Sequence, residues 1–334
     1  MTDHSDKPPQ PERRSLFERA AERFDLGTRN LAPRPPVQMP RKRKGAPAPA
    51  VPPLEPVVTP SDRPMAGAAE TILGEPQAAA PEPAAPPVVF SGPHYPVDRD
   101  LLRANAMIVP EGAVTALLEE FRIVKRQVLA QAEASRATQS DAARRVLIGS
   151  PHAGEGKTYC AVNLALAIAA ERESDVLLVD ADFAKPSILS TLGLPGGPGL
   201  MDALMDETAD VGDFVLGTDV PGLWVLPAGN TSTRDSEYLA SSRTATVLDR
   251  LTRNAPNRMV IFDSPPALAA SPAAELAKHV GQVLVIVRAD QTGQGALEDA
   301  VSLLSACPNI QLLLNAVQFS PSGRRFGTYY GHKA

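Results

Sequence analysis

A lysine and a threonine end a glycine-rich loop near the middle of the chain, a combination typical of phosphate binding. The loop reads Ser-Pro-His-Ala-Gly-Glu-Gly-Lys-Thr at residues 150–158, between a short apolar run and a helix-compatible run. Gly154 and Gly156 let backbone amides approach an anion closely, and the dipole of the following helix favours negative charge there. Lys157 is placed to neutralise phosphate oxygens, and Thr158 is placed to bind Mg²⁺.

The loop alone does not exclude the alternative of an ordinary helix-capping turn, because Pro151 stands where the strict pattern has glycine. Two later runs of four apolar residues favour the phosphate site. Asp180 and Asp182 come after the first run, and Asp263 comes after the second. Ligands of an open parallel sheet bind beyond the carboxyl ends of its strands, and Mg²⁺ prefers oxygen ligands. These acids therefore predict a magnesium site beside the loop.

Three segments around these residues resemble the Walker A, Walker A′ and Walker B segments of the bacterial tyrosine kinases of capsule and exopolysaccharide export. They are residues 150–158, 176–185 and 260–266. That family shares its nucleotide-binding fold with the plasmid-partition and septum-placement ATPases. Other segments are also similar to parts of these kinases, namely the helix motif Glu119-x-x-Arg122-x-x-Lys125, residues 236–242 and the tyrosine-containing end at 326–331. The resemblance covers about residues 100–334.

The chain departs from both groups at a few positions. His152 stands where partition ATPases carry a signature lysine, which favours the kinase branch. Ala184 stands where the kinases usually have a basic residue, and the tail holds only two tyrosines, Tyr329 and Tyr330. The Lys-Pro-Ser sequence at 185–187 is similar to autokinases found with exosortase-linked polysaccharide loci.

The resemblance implies that the chain binds ATP and Mg²⁺ and transfers phosphate to tyrosine. The implied catalytic residues are Lys157, Asp180 and Asp182, and either aspartate could orient or deprotonate the phenol. The implied metal ligands are Thr158, Asp180 and Asp263. The implied nucleotide contacts are Gly154, Glu155, Gly156, Lys157, Thr158, Tyr159 and Asn315. Asn315 would contact the adenine edge, but a turn residue at a strand end is an equally good interpretation. Tyr329 and Tyr330 are the implied sites of autophosphorylation.

Apolar residues recur at helical spacing through 111–132, and the outer face of this helix carries Glu119, Arg122 and Lys125. A solvated helix face is one interpretation. By the resemblance, these three residues form the interface of a homo-oligomer, which we expect to be a ring. Such assembly would deliver a tail tyrosine into the site of a neighbouring copy.

Strand-like and helix-like runs alternate through residues 110–318, which predicts an α/β fold with a doubly wound, mainly parallel sheet of P-loop NTPase type. Residues 1–109 hold most of the prolines and predict a long, disordered Pro-rich N-terminal arm. A short amphipathic helix near 15–24 either docks on a protein surface or is a marginal free helix. Residues 319–334 are expected to form a flexible tail.

The formal net charge of −5 argues against nucleic acid as a partner. The basic run 41–44 either meets an anionic surface or solvates a linker. No apolar run approaches the ~20 residues that span a bilayer, so we expect a cytoplasmic protein that a partner recruits to the inner membrane. The resemblance implies two protein partners besides further copies of the chain: a separately encoded inner-membrane chain-length or co-polymerase activator, and a tyrosine phosphatase.

The leading hypothesis is an ATP- and Mg²⁺-dependent protein-tyrosine autokinase that regulates exopolysaccharide or capsule polymerisation and export. It would phosphorylate its C-terminal tyrosines in trans. One alternative is a partition-type regulatory ATPase, in which the nucleotide controls assembly. Another is a nucleotide-binding pseudokinase scaffold, which Ala184 and the short tyrosine tail would favour.

Overall fold

A mostly parallel sheet lies at the centre of the computed structural model, which describes residues 89–171, 173–230 and 234–317. Its strands are β1 (His94–Tyr95), β2 (Arg145–Gly149), β3 (Asp175–Asp180), β4 (Leu216–Thr218), β5 (Leu223–Leu226), β6 (Arg258–Asp263), β7 (Gln282–Arg288) and β8 (Ile310–Asn315). They are ordered β1-β4-β5-β3-β6-β2-β7-β8, and every neighbouring pair is parallel except β4 with β5.

The central strands are buried on both faces. Nearly all residues of β2, β3, β6 and β7 are inaccessible to solvent. Strands covered by helices on both faces need apolar side chains at successive positions, and this is why their sequences are continuous rather than alternating. The three apolar runs that precede the phosphate loop, Asp180 and Asp263 in the sequence form β2, β3 and β6, and the predicted doubly wound fold is confirmed.

Helices cover both faces of the sheet, the first four in the chain on one face and the later ones on the other. The helices are α1 (Arg99–Ala104), α2 (Ala116–Gln139), α3 (Lys157–Ala169), α4 (Ile188–Leu192), α5 (Leu200–Met205), α6 (Asp235–Leu239), α7 (Ser242–Thr252), α8 (Pro272–Ala277) and α9 (Gln294–Leu303). The first four contribute to one buried apolar cluster, and the last five contribute to the cluster on the opposite face. Each face of the sheet therefore has its own core.

The described fold begins before the predicted boundary at residue 110. Phe90 and Leu102 are buried in the two cores. The Phe90 and Trp224 rings pack edge-to-face at a centroid distance of 5.5 Å, and the Arg258 guanidinium lies 3.9 Å from the centroid of the Phe90 ring. The prediction placed this segment in the arm because prolines interrupt it. A two-residue edge strand and a six-residue helix carry too little periodicity to be recognised in sequence.

Several predicted features lie outside the described residues. They are the helix near 15–24, the basic run 41–44, and the tail with Tyr329 and Tyr330. Within the described part of the chain, no helix combines the length and the apolar character needed to cross a bilayer.

Helix α2 begins and ends later than the predicted helix at 111–132. One face packs on the core, with Phe121 and Val128 buried. Lys125 is also buried, and its ammonium forms an ion pair with Glu171 at 2.6 Å. The prediction that Lys125 belongs to an exposed polar strip is therefore wrong, because the helix turns this position towards α3.

Glu119 and Arg122 do remain accessible on α2. Their side chains are 26% and 38% exposed, and they form an ion pair with each other one turn apart. Their predicted role at an oligomer interface stays a prediction.

Candidate active site

The loop between β2 and α3 has the backbone shape that its glycines predict. Gly154 has φ +79° and Gly156 has φ +98°, values at which a Cβ is strained. At Gly156 a Cβ would also lie only 2.2 Å from Nδ2 of Asn315. Helix α3 begins at Lys157, so its first backbone N–H groups lack partners within the helix and are available to an anion at the loop.

The side chain of Lys157 lies inside this loop. It is 7% exposed, and its Nζ donates to Oγ of Ser150 at 3.0 Å. Ser150 in turn donates to the carbonyl of His152 at 2.7 Å. Burial lowers the pKa of Lys157, although the charges of Asp263 and other nearby acids oppose that shift. The ammonium therefore lies in a partly dry site, where its attraction for phosphate is stronger than in water.

Two of the predicted acids meet at the carboxyl ends of neighbouring strands. Asp180 of β3 and Asp263 of β6 are partners in the strand register, and each is 1% exposed. Burial raises the pKa of Asp180 to about 6, although backbone hydrogen bonds from Ile188 and Ser187 oppose the shift. Burial raises the pKa of Asp263 to about 7, against the hydrogen bond that Thr158 donates to its Oδ2 at 2.6 Å. Both carboxyl groups therefore lie where charge is costly without a cation.

The residues present fit a magnesium ion. Oδ1 of Asp263 is a buried oxygen that has no hydrogen-bond partner in the described part of the chain, and a buried carboxylate oxygen of this kind is suited to a cation. Among the described residues, no group of three or more His, Cys, Asp and Glu side chains is arranged to hold a metal. Mg²⁺ does not need such a cage, because it is usually held by one or two carboxylates, phosphate oxygens and water. Thr158, Asp180 and Asp263 are the residues that would hold it.

The fold also brings Ser187 to the site, a residue that the sequence analysis did not assign there. Oγ of Ser187 lies 3.1 Å from Oγ1 of Thr158, and the backbone N–H of Ser187 donates to Oδ2 of Asp180 at 2.9 Å. Ser187 lies just after the predicted Walker A′ segment, seven residues beyond Asp180. Only the turn of the chain between β3 and α4 brings it back to the carboxylate.

Asp182 and Tyr159, two further predicted residues, have their own partners. Asp182 is half-buried, and its Oδ1 accepts from the backbone N–H of Lys185 at 3.1 Å. The Tyr159 hydroxyl donates to the carbonyl of Ala106 at 2.9 Å. Its side chain therefore joins α3 to the segment after α1, which leaves the backbone N–H of Tyr159 as its means of contacting a phosphate.

Glu155 is buried within the phosphate loop and bonded on both sides. Its Oε2 accepts from the backbone N–H of His152 at 2.7 Å, and its Oε1 accepts from Oγ1 of Thr292 at 2.5 Å. Nδ2 of Asn315 donates to the backbone carbonyl of Glu155 at 2.9 Å, and Nη1 of Arg288 donates to that of Gly154 at 2.8 Å. The loop is thus held by residues from the ends of β7 and β8 and the turn after β7. The family resemblance implied that Asn315 contacts the nucleotide, but nothing in the sequence indicated Arg288 or Thr292.

An open cavity of about 370 Å³ lies beside Asp180. Its other walls include Leu189, Gly197, Pro227 and Gly229, which come from α4 and from the loops before α5 and after β5. A larger cavity of about 410 Å³ lies at the far end of α3, around Leu166 and Ala170. The catalytic groups lie elsewhere, so we assign only the smaller cavity to the site.

The combination of a phosphate loop after a central parallel strand with two acids at adjacent strand ends is typical of P-loop nucleotide-binding proteins. No family model matches the chain. Among curated proteins, the tyrosine-protein kinase EpsB of Ralstonia nicotianae is 30% identical over 198 residues, which are 58% of this chain and 26% of EpsB. YwqD of Bacillus subtilis, also a tyrosine-protein kinase, is 29% identical over 192 residues, 57% of this chain and 78% of YwqD. The chain is therefore similar to bacterial tyrosine kinases over its described domain, and it spans about a quarter of the length of EpsB.

Solved structures agree on the fold. The kinase domain of the Escherichia coli tyrosine kinase ETK has a TM-score of 0.50 and 22% identity, over 60% of this chain and 78% of that domain. The chimerical protein CapA2B2 has a TM-score of 0.52 and 24% identity, over 69% of this chain and 95% of the chimera. A chromosome-partitioning protein, ParA of Caulobacter vibrioides, is 36% identical over 141 residues, 37% of this chain and 49% of ParA.

Proposed function

We propose that this chain is an ATP- and Mg²⁺-dependent protein-tyrosine autokinase that phosphorylates Tyr329 and Tyr330 of another copy and thereby regulates polysaccharide polymerisation and export. The observation that carries the proposal is the convergence of one lysine, one hydroxyl and two carboxyl groups at one edge of the sheet. Oδ1 of Asp263, which accepts from no described residue, adds a place for a cation. Similarity to proteins named tyrosine-protein kinases supports transfer to tyrosine rather than to water.

Each residue of the site has a separate role in this proposal. The loop amides and Lys157 bind the phosphates and stabilise the charge that develops during transfer. Thr158, Asp180 and Asp263 hold Mg²⁺, which when bound neutralises charge on the phosphates. The hydrogen bonds of the Glu155 carboxylate hold the loop in shape. Asn315 donates a hydrogen bond to the loop and would also contact the adenine.

The incoming phenol would enter the cavity beside Asp180, and Asp182 would orient it or accept its proton. Both oxygens of Asp180 are already hydrogen-bonded, since Oδ2 accepts from Ser187 and Ile188 and Oδ1 accepts from the backbone N–H of Asp182. Asp180 is therefore better suited to holding the metal than to accepting a proton. Asp182 is half-buried and can reach an acceptor that approaches from solvent.

The assembly and partners extend the proposal. Copies would pack into a ring through Glu119 and Arg122, so that a tail reaches a neighbouring site. A separately encoded inner-membrane activator would recruit and stimulate the kinase, and a tyrosine phosphatase would reverse the modification. Placement in the exosortase-linked subgroup likewise stays a prediction.

The second candidate function is a partition-type regulatory ATPase, which the similarity to ParA favours. In that case the nucleotide would control assembly and the tail tyrosines would stay unmodified. A nucleotide-binding pseudokinase is the third candidate, and it rests on Ala184, which is exposed next to the acids.

Incubation of the full chain with γ-labelled ATP and Mg²⁺ tests the proposal, with and without the membrane activator. We expect label on Tyr329 or Tyr330, its loss in Lys157→Met, and its persistence in the control Lys278→Met, which changes an exposed lysine outside the site. A chain that binds ATP in calorimetry and releases phosphate without labelling the tail is a regulatory ATPase. Binding with neither hydrolysis nor label identifies a pseudokinase.

A further inference from the structure

The cavity of about 370 Å³ beside Asp180, which we call the acceptor cavity, has one wall built from two loops. Gly196 and Gly197 lie in the loop before α5, and residues 227–229 lie in the loop after β5. None of these residues has a long side chain, so the course of the backbone sets the width of the cavity. A residue that holds the two loops together therefore determines the shape of the cavity.

Two backbone hydrogen bonds join the second loop to the start of α5. The carbonyls of Pro227 and Ala228 accept from the N–H groups of Leu200 and Met201 at 2.8 and 2.9 Å. These N–H groups lie in the first turn of α5, where a helix has no acceptors of its own. Leu200 and Met201 are also fully buried, so the start of α5 is fixed on the core and gives the loop a firm support.

The side chain of Asp202, also in the first turn of α5, binds both loops at once. Its Oδ2 accepts from the backbone N–H of Gly199 at 2.8 Å and from that of Asn230 at 3.1 Å. Its Oδ1 accepts from Nδ2 of Asn230 at 2.6 Å. Three donors from the ends of the two loops thus converge on one carboxylate. Hydrogen bonds to a charged acceptor are stronger than those between neutral groups.

The two loops approach each other closely at this carboxylate. A Cβ on Gly199 would lie 2.0 Å from the carbonyl oxygen of Pro227, and a Cβ on Gly229 would lie 2.2 Å from Oδ2 of Asp202. Gly229 also has φ +85°, which residues with a side chain rarely adopt. At residues 196–197, in contrast, an added Cβ would meet nothing within 4 Å. The loops are therefore in close contact at Asp202 and leave space at 196–197.

We propose that Asp202 is a positioning residue of the acceptor cavity, because it holds the two loops at the separation that admits the phenol of a tyrosine. The inference rests on the proposed function, which places the incoming phenol in this cavity. Asp202 lies outside the described lining of the cavity, so it acts through the loops. The nucleotide groups are held separately, since Lys157 bonds to Ser150 and Thr158 bonds to Asp263. Loss of the Asp202 bonds should therefore weaken acceptor binding and spare ATP binding.

An exchange of two side chains isolates this role. In Asp202→Asn, an amide nitrogen replaces the oxygen that accepts from Nδ2 of Asn230, so two donors face each other and the bond is lost. In the double variant Asp202→Asn, Asn230→Asp, the amide at 202 donates to the carboxylate at 230, and its oxygen still accepts from both backbone N–H groups. Asp206→Asn is the matched control, because it makes the same change at the end of α5, where the carboxylate bonds to Thr208.

Binding of a fluorescent peptide of residues 324–334 to the full chain, measured by anisotropy without nucleotide, tests the proposal independently of catalysis. We expect Asp202→Asn to raise the Kd for the peptide about tenfold, since one charge-assisted hydrogen bond is lost. The double variant should return the Kd to the parent value, and Asp206→Asn should leave it unchanged. The Kd for ATP, measured by calorimetry, should be the same in all four proteins. A peptide carrying Tyr329→Ser and Tyr330→Ser should not bind, because it has no phenol to enter the cavity.

Equal peptide affinities for Asp202→Asn and the parent would overturn the proposal, as would a parent chain that does not bind the peptide or binds the serine peptide equally well. A parallel loss of ATP affinity, or a double variant as weak as Asp202→Asn, would also overturn it, because Asp202 would then support the domain rather than the cavity. A chain that binds the peptide in the expected pattern but transfers no label to Tyr329 or Tyr330 contradicts the proposed kinase function and leaves the role of Asp202 intact.

Discussion

Glu155 shows how a charge that opposes phosphate binding is used inside a phosphate loop. A carboxylate beside bound phosphates is repulsive, yet Glu155 is 4% exposed and has a hydrogen-bond donor on each oxygen. One donor is the amide of His152 within the loop, and the other is Thr292 from the turn after β7. The backbone N–H of Arg288 donates to Oγ1 of Thr292 at 2.9 Å, which orients the hydroxyl towards the carboxylate. Thr292 is therefore a positioning residue for the loop.

Replacing Thr292 with valine should weaken nucleotide binding without unfolding the protein. The change keeps the shape of the side chain but leaves one oxygen of a buried carboxylate without its donor, a cost of about 1–3 kcal/mol that falls on the loop. We expect the Kd for ATP, measured by calorimetry, to rise about tenfold or more. Thr292→Ser keeps the hydroxyl and should restore the affinity. Equal affinities for the valine variant and the parent would show that the contact does not position the loop.

At the scale of the element, α2 shows what helical periodicity predicts and what it does not. The apolar repeat correctly indicated a helix, but the helix extends to Gln139 and buries Lys125. In the sequence, a lysine three residues after Arg122 continues the polar face. In the structure its long stem crosses onto α3, where the ammonium meets Glu171 at the helix end.

The two partners of this ion pair should differ in their cost to stability. Glu171→Gln leaves a buried ammonium without an anion, which should lower the free energy of unfolding by about 1–3 kcal/mol. Lys125→Met keeps the buried stem contacts and leaves only Glu171, whose side chain is 45% exposed, so its loss should stay below about 1 kcal/mol. Urea denaturation of both variants measures the difference, and equal losses would contradict the assignment.

The same pair has a pH dependence of known sign. The hydrogen bond from Lys125 is the main cause that lowers the pKa of Glu171 below its usual value of 4.5. A carboxyl group with a lowered folded pKa stabilises the fold above its unfolded pKa and loses that contribution as pH falls through the folded pKa. Part of the acid-induced loss of stability below about pH 4.5 should therefore disappear in Glu171→Gln, as urea denaturation at a series of pH values would measure.

At the scale of the whole molecule, the site lies at the carboxyl ends of the central strands, and α2 lies on an outer face. Glu119 and Arg122 pair on this helix, and a second ion pair, between Glu133 and Arg136, repeats the arrangement further along. Surface pairs one turn apart contribute little to folding, so either arginine is replaceable without loss of the fold. This makes α2 suited to a test of assembly.

Reversal of one charge should separate the proposed interface from the rest of the helix. We expect Arg122→Glu to weaken self-association by about tenfold or more, because like charges would then meet across the interface. The matched control Arg136→Glu breaks an equivalent pair and should leave association unchanged. Sedimentation velocity over a concentration series measures both. A similar effect of the two changes would place the interface elsewhere.

The sequence by itself determined the buried central strands, the phosphate loop and the acids at the strand ends. These are local properties: a buried parallel strand is a continuous apolar run, and the residues directly after it emerge at the carboxyl edge of the sheet. The family resemblance also implied that Asn315 contacts the adenine, which stays a prediction. Residues outside such patterns, including the segment from Phe90 to Ile108, were assigned incorrectly or were missed.

Only the tertiary structure decided the burial of Lys125, the brace from Thr292 to Glu155, the return of Ser187 to Asp180 and the packing of Phe90 on Trp224. Each of these contacts joins segments that periodicity does not relate, because its geometry depends on the paths of two separate connections across the sheet. Side-chain spacing along one element specifies the face that a residue occupies. The partner on that face depends on which other element the fold packs there.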